Sequence, residues 1–166
     1  MIRIAMIPIF LAVLYIGFPG SEYTAMAIFI LAGLTDIADG QIARRRDQVT
    51  DFGKFTDPIA DKILVVSAML WFVSIGTMPV WAALLVIVRE FLVTGLRLLA
   101  AGNERVIAAG FSGKVKTVVT VICLTAMFLN LQPWMMHTCV GAIAITTLVS
   151  GVEYFVRNKD ILKPDM

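Results

Sequence analysis

The sequence predicts an all-α fold, a polytopic membrane protein with six transmembrane helices, and three observations predict it. Apolar residues make up 59% of the 166 positions, with a mean hydropathy of +0.87, whereas soluble domains are about 45–50% apolar. Six apolar segments follow one another, each near the ~20 residues that a helix needs to cross a bilayer. Lysine and arginine crowd alternate connectors and are missing from the others.

The segments run over about 2–19, 22–44, 55–76, 79–100, 113–131 and 134–156, with limits set by turn residues and charge. Pro19-Gly20-Ser21 separates the first two, Gly76-Thr77 the third and fourth, and Asn130-Leu131-Gln132-Pro133 the last two. Pro79 and Pro133 stand where a helix starts, and there a missing N–H costs nothing. Arg3 opens the first segment. Arg44, Arg45, Arg46, Lys54 and Lys62 surround the second connection, and Arg97, Arg105, Lys114 and Lys116 the fourth. Arg157, Lys159 and Lys163 follow the last segment. The positive-inside rule therefore puts both termini and these connections in the cytoplasm. Tyr15, Tyr23, Trp71, Trp81 and Trp134 gather near the opposite interface, as aromatic anchors do.

One domain over 1–166 is expected from the length. No cleavable signal peptide is expected, since the first apolar stretch carries Arg3 and Pro8 and lacks a small-residue cleavage site. Cys123 and Cys139 lie in apolar runs and read as buried small residues. The net charge of +2 gives no reason to expect a nucleic-acid partner.

The chemistry-bearing stretch runs from the end of the second segment into the third. Asp36 and Asp39 are three residues apart and Asp57 and Asp61 four apart, so each pair shares one helix face. Asp36 precedes Arg44 by eight residues, about 12 Å of helix below the cytoplasmic interface at ~1.5 Å per residue. An ionised carboxylate at that depth costs a few kcal/mol without compensation. Divalent cations relieve both that cost and the mutual repulsion, because hard carboxylate oxygens suit Mg²⁺, Mn²⁺ or Ca²⁺. Gly40 costs about 1 kcal/mol in a helix relative to alanine, which points to a close approach to the backbone. Pairing with the neighbouring basic residues accounts better for Asp47 and Asp51, read as solvated or loop-capping.

Asp36, Asp39, Gly40, Ala43, Arg44, Gly53, Asp57 and Asp61 fit, without a gap, the pattern D-x2-D-G-x2-A-R-x8-G-x3-D-x3-D. In this the chain resembles the CDP-alcohol phosphatidyltransferases. The run from Asp51 to Lys62, with Arg89-Glu90-Phe91, Gly95-Leu96-Arg97 and Gly113-Lys114-Val115-Lys116-Thr117, resembles the bacterial phosphatidylglycerophosphate synthase branch of that family. That branch also carries an Asn-x-Leu-Thr-x-x-Arg pattern before the first span, of which Arg3 alone is present here.

The resemblance implies a dimeric six-helix enzyme of the bacterial inner membrane, its site open to the cytoplasm and its metal Mg²⁺ or Mn²⁺, as two ions. An alcohol would attack the β-phosphorus of CDP-diacylglycerol and release CMP, and in this branch the alcohol is sn-glycerol 3-phosphate. Asp36, Asp39 and Asp57 would hold the metal with Asp61 nearby, and Asp61 would serve as general base. Asp36, Asp39, Gly40, Ala43, Arg44 and Gly53 would bind the CDP-diacylglycerol donor.

A phosphorylated acceptor needs cations of its own. Arg89, deep in the fourth segment, is the foremost candidate, with ion pairing to an acid such as Glu90 as the alternative. Arg97, Lys114 and Lys116 join it, with cytoplasmic anchoring as theirs. Arg45 and Arg46 read as anchors or lipid-headgroup contacts, His137 as structural or solvent-facing, and Glu90 and Thr94 share a face without an assigned role. Inositol phosphate, serine or phosphatidylglycerol are the other acceptors of the family type. A divalent-cation transporter is the reading from another class, but it would place acids near the midplane in interrupted helices.

Overall fold

A computed structural model of the protein describes the backbone of residues 2–46, 51–102 and 110–159, and the side chains of residues 5–35, 62–100 and 110–159. Among the described residues all regular structure is helical: α1 (Ile2–Ile16), α2 (Ser21–Arg46), α3 (Asp51–Ser74), α4 (Val80–Gly102), α5 (Phe111–Met127) and α6 (Pro133–Arg157). The helices number six, as expected, and several ends differ from the expected limits. α1 stops at Ile16 because Gly17 turns left-handed, with φ +66°, and its N–H reaches back to Val13 O at 3.4 Å. Gly20, at φ +87°, completes the turn into α2. α5 stops at Met127, and Asn130 takes φ +50°, a region that asparagine tolerates better than other side-chain-bearing residues.

The chain divides into two compact units. The first comprises residues 1–71 and 125–131. In it α1 packs on α2, burying Ile7, Phe10 and Leu14 from one helix and Ala25, Phe29 and Ala32 from the other. Those spacings of three, four and seven put each set on one helix face. Phe128 joins them from the 125–131 segment: its ring lies edge-on to Phe10, centroids 6.0 Å apart, and 6.2 Å from Phe29, which is itself 6.2 Å from Phe10. Near the α1–α2 turn, Tyr15 meets Trp71 edge-on at 5.7 Å, and Asn130 Nδ2 donates to the Glu22 carboxylate.

The second unit comprises residues 72–124 and 132–166. Its entry is a capped helix end: Gly76, at φ +75°, lets Thr77 N and Met78 N both reach Phe72 O, at 2.9 and 3.0 Å. α4 packs on α6. Val140, Ile143, Ala144, Thr147, Ser150 and Tyr154 form the buried stripe of α6, and Tyr154 clusters with Val93 and Leu96 of α4. The two buried hydroxyls bond into their own helix, Thr147 Oγ1 to Ile143 O at 2.6 Å and Ser150 Oγ to Thr147 O at 3.3 Å, so neither is left unmet. Pro133 opens α6 at its first position. Cys123 and Cys139 are free thiols, each partly buried.

Among the described residues, Pro133–Arg157 is the one helix long and apolar enough to cross a membrane. Its 25 residues span about 37 Å against a hydrocarbon core of about 30 Å. α4 has 23 residues but carries Arg89, Glu90 and Arg97, and α5 has 17. Away from the α4 contact, α6 exposes Ile145, Leu148, Val149, Val152 and Val156, a face that water would disfavour.

Phe10→Ala is expected to destabilise the first unit by about 3–5 kcal/mol, through lost ring contacts and the cavity left behind. Ile145→Ala, on the exposed face of α6, should stay within about 0.5 kcal/mol. Thermal unfolding of the purified variants checks both, and equal midpoints for the two would contradict the assigned core.

Candidate active site

The donor and metal candidates fall on the two helices of the first unit that flank residues 47–50. Asp36, Asp39, Gly40, Ala43 and Arg44 belong to α2, and Gly53, Asp57 and Asp61 to α3. Their side chains lie outside the described residues. Their backbone is helical, so Gly40 does occupy a helix interior. Among the described residues no three acids, histidines or cysteines cluster as metal ligands would.

The candidates for an acceptor phosphate belong to the second unit, and most of their side chains are described in detail. α4 buries Val93 and Leu96; Arg89, four and seven residues before them, falls on that same face, with Arg97 and Glu90 at its edge. Glu90 Oε1 accepts two charged hydrogen bonds, from Arg89 Nη1 at 2.9 Å and from Lys116 Nζ of α5 at 2.8 Å. The three side chains are 12% (Arg89), 20% (Glu90) and 5% (Lys116) exposed. An ion pair so removed from water holds only when its hydrogen bonds are well made, and both distances lie in the charge-assisted range.

Arg89 runs through a gap left by two glycines. A Cβ on Gly151 of α6 would lie 3.5 Å from Arg89 Cγ, and one on Gly113 of α5 would lie 3.5 Å from Arg89 Nη2. Alanine at either position would meet the arginine at ordinary van der Waals distance. Arg89 Nε is buried with no hydrogen-bond partner among the described residues.

Arg97 is held differently. Its Nε donates to Tyr154 Oη at 3.3 Å, and its guanidinium carbon stands 5.7 Å from the centre of that ring, within cation–π range. Lys114 is exposed. The sequence-predicted acceptor set thus separates into Arg89 with Lys116, joined by Glu90; Arg97 on Tyr154; and Lys114 at the surface. Lys116 is buried against a carboxylate, which is not the geometry of an anchor reaching for lipid headgroups. For Arg89, the alternative of pairing with Glu90 is realised.

Sequence reasoning does not single out Tyr154 or Gly151. Tyr154 carries a weak signal, an aromatic with a polar end near the close of the last apolar segment. Gly151 carries none, and Gly113 enters only as the first residue of the Gly113–Thr117 run; the two are 38 positions apart and meet at Arg89.

Comparison with known proteins gives a consistent assignment. The family model described as CDP-alcohol phosphatidyltransferase matches residues 1–150. The chain is 38% identical to the CDP-diacylglycerol–glycerol-3-phosphate 3-phosphatidyltransferase of Bacillus subtilis (strain 168), over 97% of this chain and 93% of that one. It is 37% identical to the probable phosphatidylglycerophosphate synthase of Mycobacterium tuberculosis (strain H37Rv), over 95% of this chain and 78% of that one. It is 34% identical to the CDP-diacylglycerol–glycerol-3-phosphate 3-phosphatidyltransferase of Escherichia coli (strain K12), over 92% of this chain and 87% of that one. The chain belongs to the CDP-alcohol phosphatidyltransferase family, membrane-associated enzymes that generally work with divalent cations.

Proposed function

We propose that this enzyme transfers the phosphatidyl group of CDP-diacylglycerol to sn-glycerol 3-phosphate, yielding phosphatidylglycerophosphate and CMP for phospholipid biosynthesis. The observation that carries the reading is the unbroken eight-position signature from Asp36 to Asp61, in a chain that matches transferases named for these two substrates over most of its length.

The site would work as follows. Asp36, Asp39 and Asp57, with Asp61 nearby, are the donor set for two Mg²⁺ or Mn²⁺ ions, and four carboxylates are hard ligands suited to either. Bound there, the metal supplies charge neutralisation for the pyrophosphate and for the leaving CMP. Gly40, Ala43 and Gly53 leave room for the nucleotide, with Arg44 ordering it. Asp61 accepts the proton of the acceptor hydroxyl as its oxygen attacks the β-phosphorus and the bond to CMP breaks. Arg89 and Lys116 meet the phosphate of glycerol 3-phosphate, with Arg97 and Lys114 as further cations toward the cytoplasm.

The membrane arrangement that serves this chemistry is six spans in one domain over 1–166, with both termini cytoplasmic, in the inner membrane of a bacterium. Support comes from the one-sided distribution of Lys and Arg and from the exposed apolar face of α6. The donor would then stay in the bilayer while the acceptor arrives from water. We assign the working form to a homodimer surrounded by membrane lipids.

Purified enzyme is expected to release CMP from CDP-diacylglycerol only when both glycerol 3-phosphate and Mg²⁺ or Mn²⁺ are present, and to stop on chelation. Release that is independent of glycerol 3-phosphate, or that runs faster with inositol phosphate, serine or phosphatidylglycerol, would sink the acceptor assignment. Asp61→Asn should lower kcat by about 10²–10⁴-fold, the usual contribution of a general base; unimpaired turnover removes that role. For topology, Pro19→Cys, Thr77→Cys and Gln132→Cys, made with Cys123 and Cys139 replaced by serine, should react with an impermeant maleimide from outside intact cells. Gln48→Cys should not, and the reverse pattern would overturn the orientation.

A further inference from the structure

Neighbouring residues on a helix point about 100° apart and do not face one another. Arg89 nonetheless reaches Glu90, because its side chain is bent: Cγ lies beside Gly151 and Nη2 beside Gly113, which brings Nη1 to 2.9 Å from Glu90 Oε1. Lys116, on another helix and 26 positions away from Glu90, ends 2.8 Å from the same oxygen. One carboxylate oxygen therefore fixes the separation of two cations that the chain itself does not connect closely. Both cationic nitrogens lie within two hydrogen bonds of each other, close enough for a single phosphate group to accept from both.

The contact does not use up the arginine. A guanidinium offers five donors in a planar fork, and Glu90 engages Nη1. Nε is buried and without a partner among the described residues, an unmet donor of a kind that native interiors rarely keep. Lysine and arginine are otherwise long, flexible side chains that lose rotamer freedom whenever they close on an anion. Held beforehand by Glu90, they would not have to be gathered by the substrate.

We propose that Glu90 is the positioning residue of the acceptor site, holding Arg89 of α4 and Lys116 of α5 through one oxygen at the spacing that a phosphate monoester bridges. This rests on the reading that these two cations take the phosphate of the acceptor. In this role Glu90 acts through Arg89 and Lys116 and not on the reacting atoms or the metal. A carboxylate beside a phosphate is repulsive by itself, so its place there follows from arranging the cations and not from contacting the substrate.

The experiment is steady-state kinetics on the purified full chain in both substrates. Glu90→Ala should raise KM for glycerol 3-phosphate about tenfold, with KM for CDP-diacylglycerol and kcat at saturating acceptor each changed by less than about threefold, a loss of binding without a loss of chemistry. Glu90→Gln keeps the volume and an acceptor oxygen and should recover part of that loss; it also serves if the alanine variant does not fold. In a Lys116→Met background, Glu90→Gln should add much less to the acceptor KM than it does alone, because the two residues act as one unit. Fully additive effects, a kcat loss with acceptor KM unchanged, or an equal rise in both KM values would overturn the proposal and leave Glu90 a packing residue. If the unmodified enzyme shows no dependence on glycerol 3-phosphate, the reaction proposed above fails and takes this inference with it. If dependence is present and the Glu90 variants leave the acceptor KM unmoved, this inference fails alone.

Discussion

A charged group inside an apolar helix must find its compensation within reach of its own side chain. That constraint organises the second unit. Arg89 and Glu90 interrupt α4 midway along an otherwise apolar helix, and Lys116 enters from α5 to share the carboxylate. The glycines at 113 and 151 lie along the arginine, where an added Cβ would stand 3.5 Å from it. The register of α4 on α6 belongs to the same arrangement: Val93 and Leu96 pack against Tyr154, and Arg97 donates to that tyrosine. Moving α4 by one residue would bury the wrong side chains and expose the ion pairs to lipid or to unmatched apolar neighbours.

Much of this was legible in the sequence because apolar run length and turn chemistry are local properties. Six helices were expected and six are described, and the breaks fall at Gly17, Gly20, Gly76 and Pro133, residues whose backbone preferences act alone. The expected ends were late where the chain offered two stop signals in succession. α1 ends at the first, Gly17, not at Pro19, and α5 ends three residues before the positive φ of Asn130. The donor and metal signature was legible for a different reason: its spacing within 26 residues is carried by two consecutive helices and needs no long-range contact.

What stayed hidden depends on distant contacts. The sequence leaves the choice for Arg89 between a ligand and an ion pair open, and the structure shows the ion pair, with Nε unmet among the described residues. The pairing of Arg97 with Tyr154 spans 57 positions, and no periodicity announces it. Lys116 and Lys114 looked equivalent, yet one is buried against a carboxylate and the other exposed. Helical phase separates them by about 200°, and only the position of α4 decides which of the two faces inward.

The ring cluster of the first unit has a consequence for how the protein is made. Phe10 and Phe29 leave the ribosome early, while Phe128 and Asn130, which complete their packing and cap Glu22, emerge about a hundred residues later. Through that interval the α1–α2 hairpin is synthesised but unfinished, with an apolar flank waiting for its third ring. Everything from residue 72 to residue 124 must be threaded before the closure. The N-terminal pair is thus exposed longest to mispairing, and a chain truncated before residue 128 would carry both halves of its first hairpin without the piece that locks them.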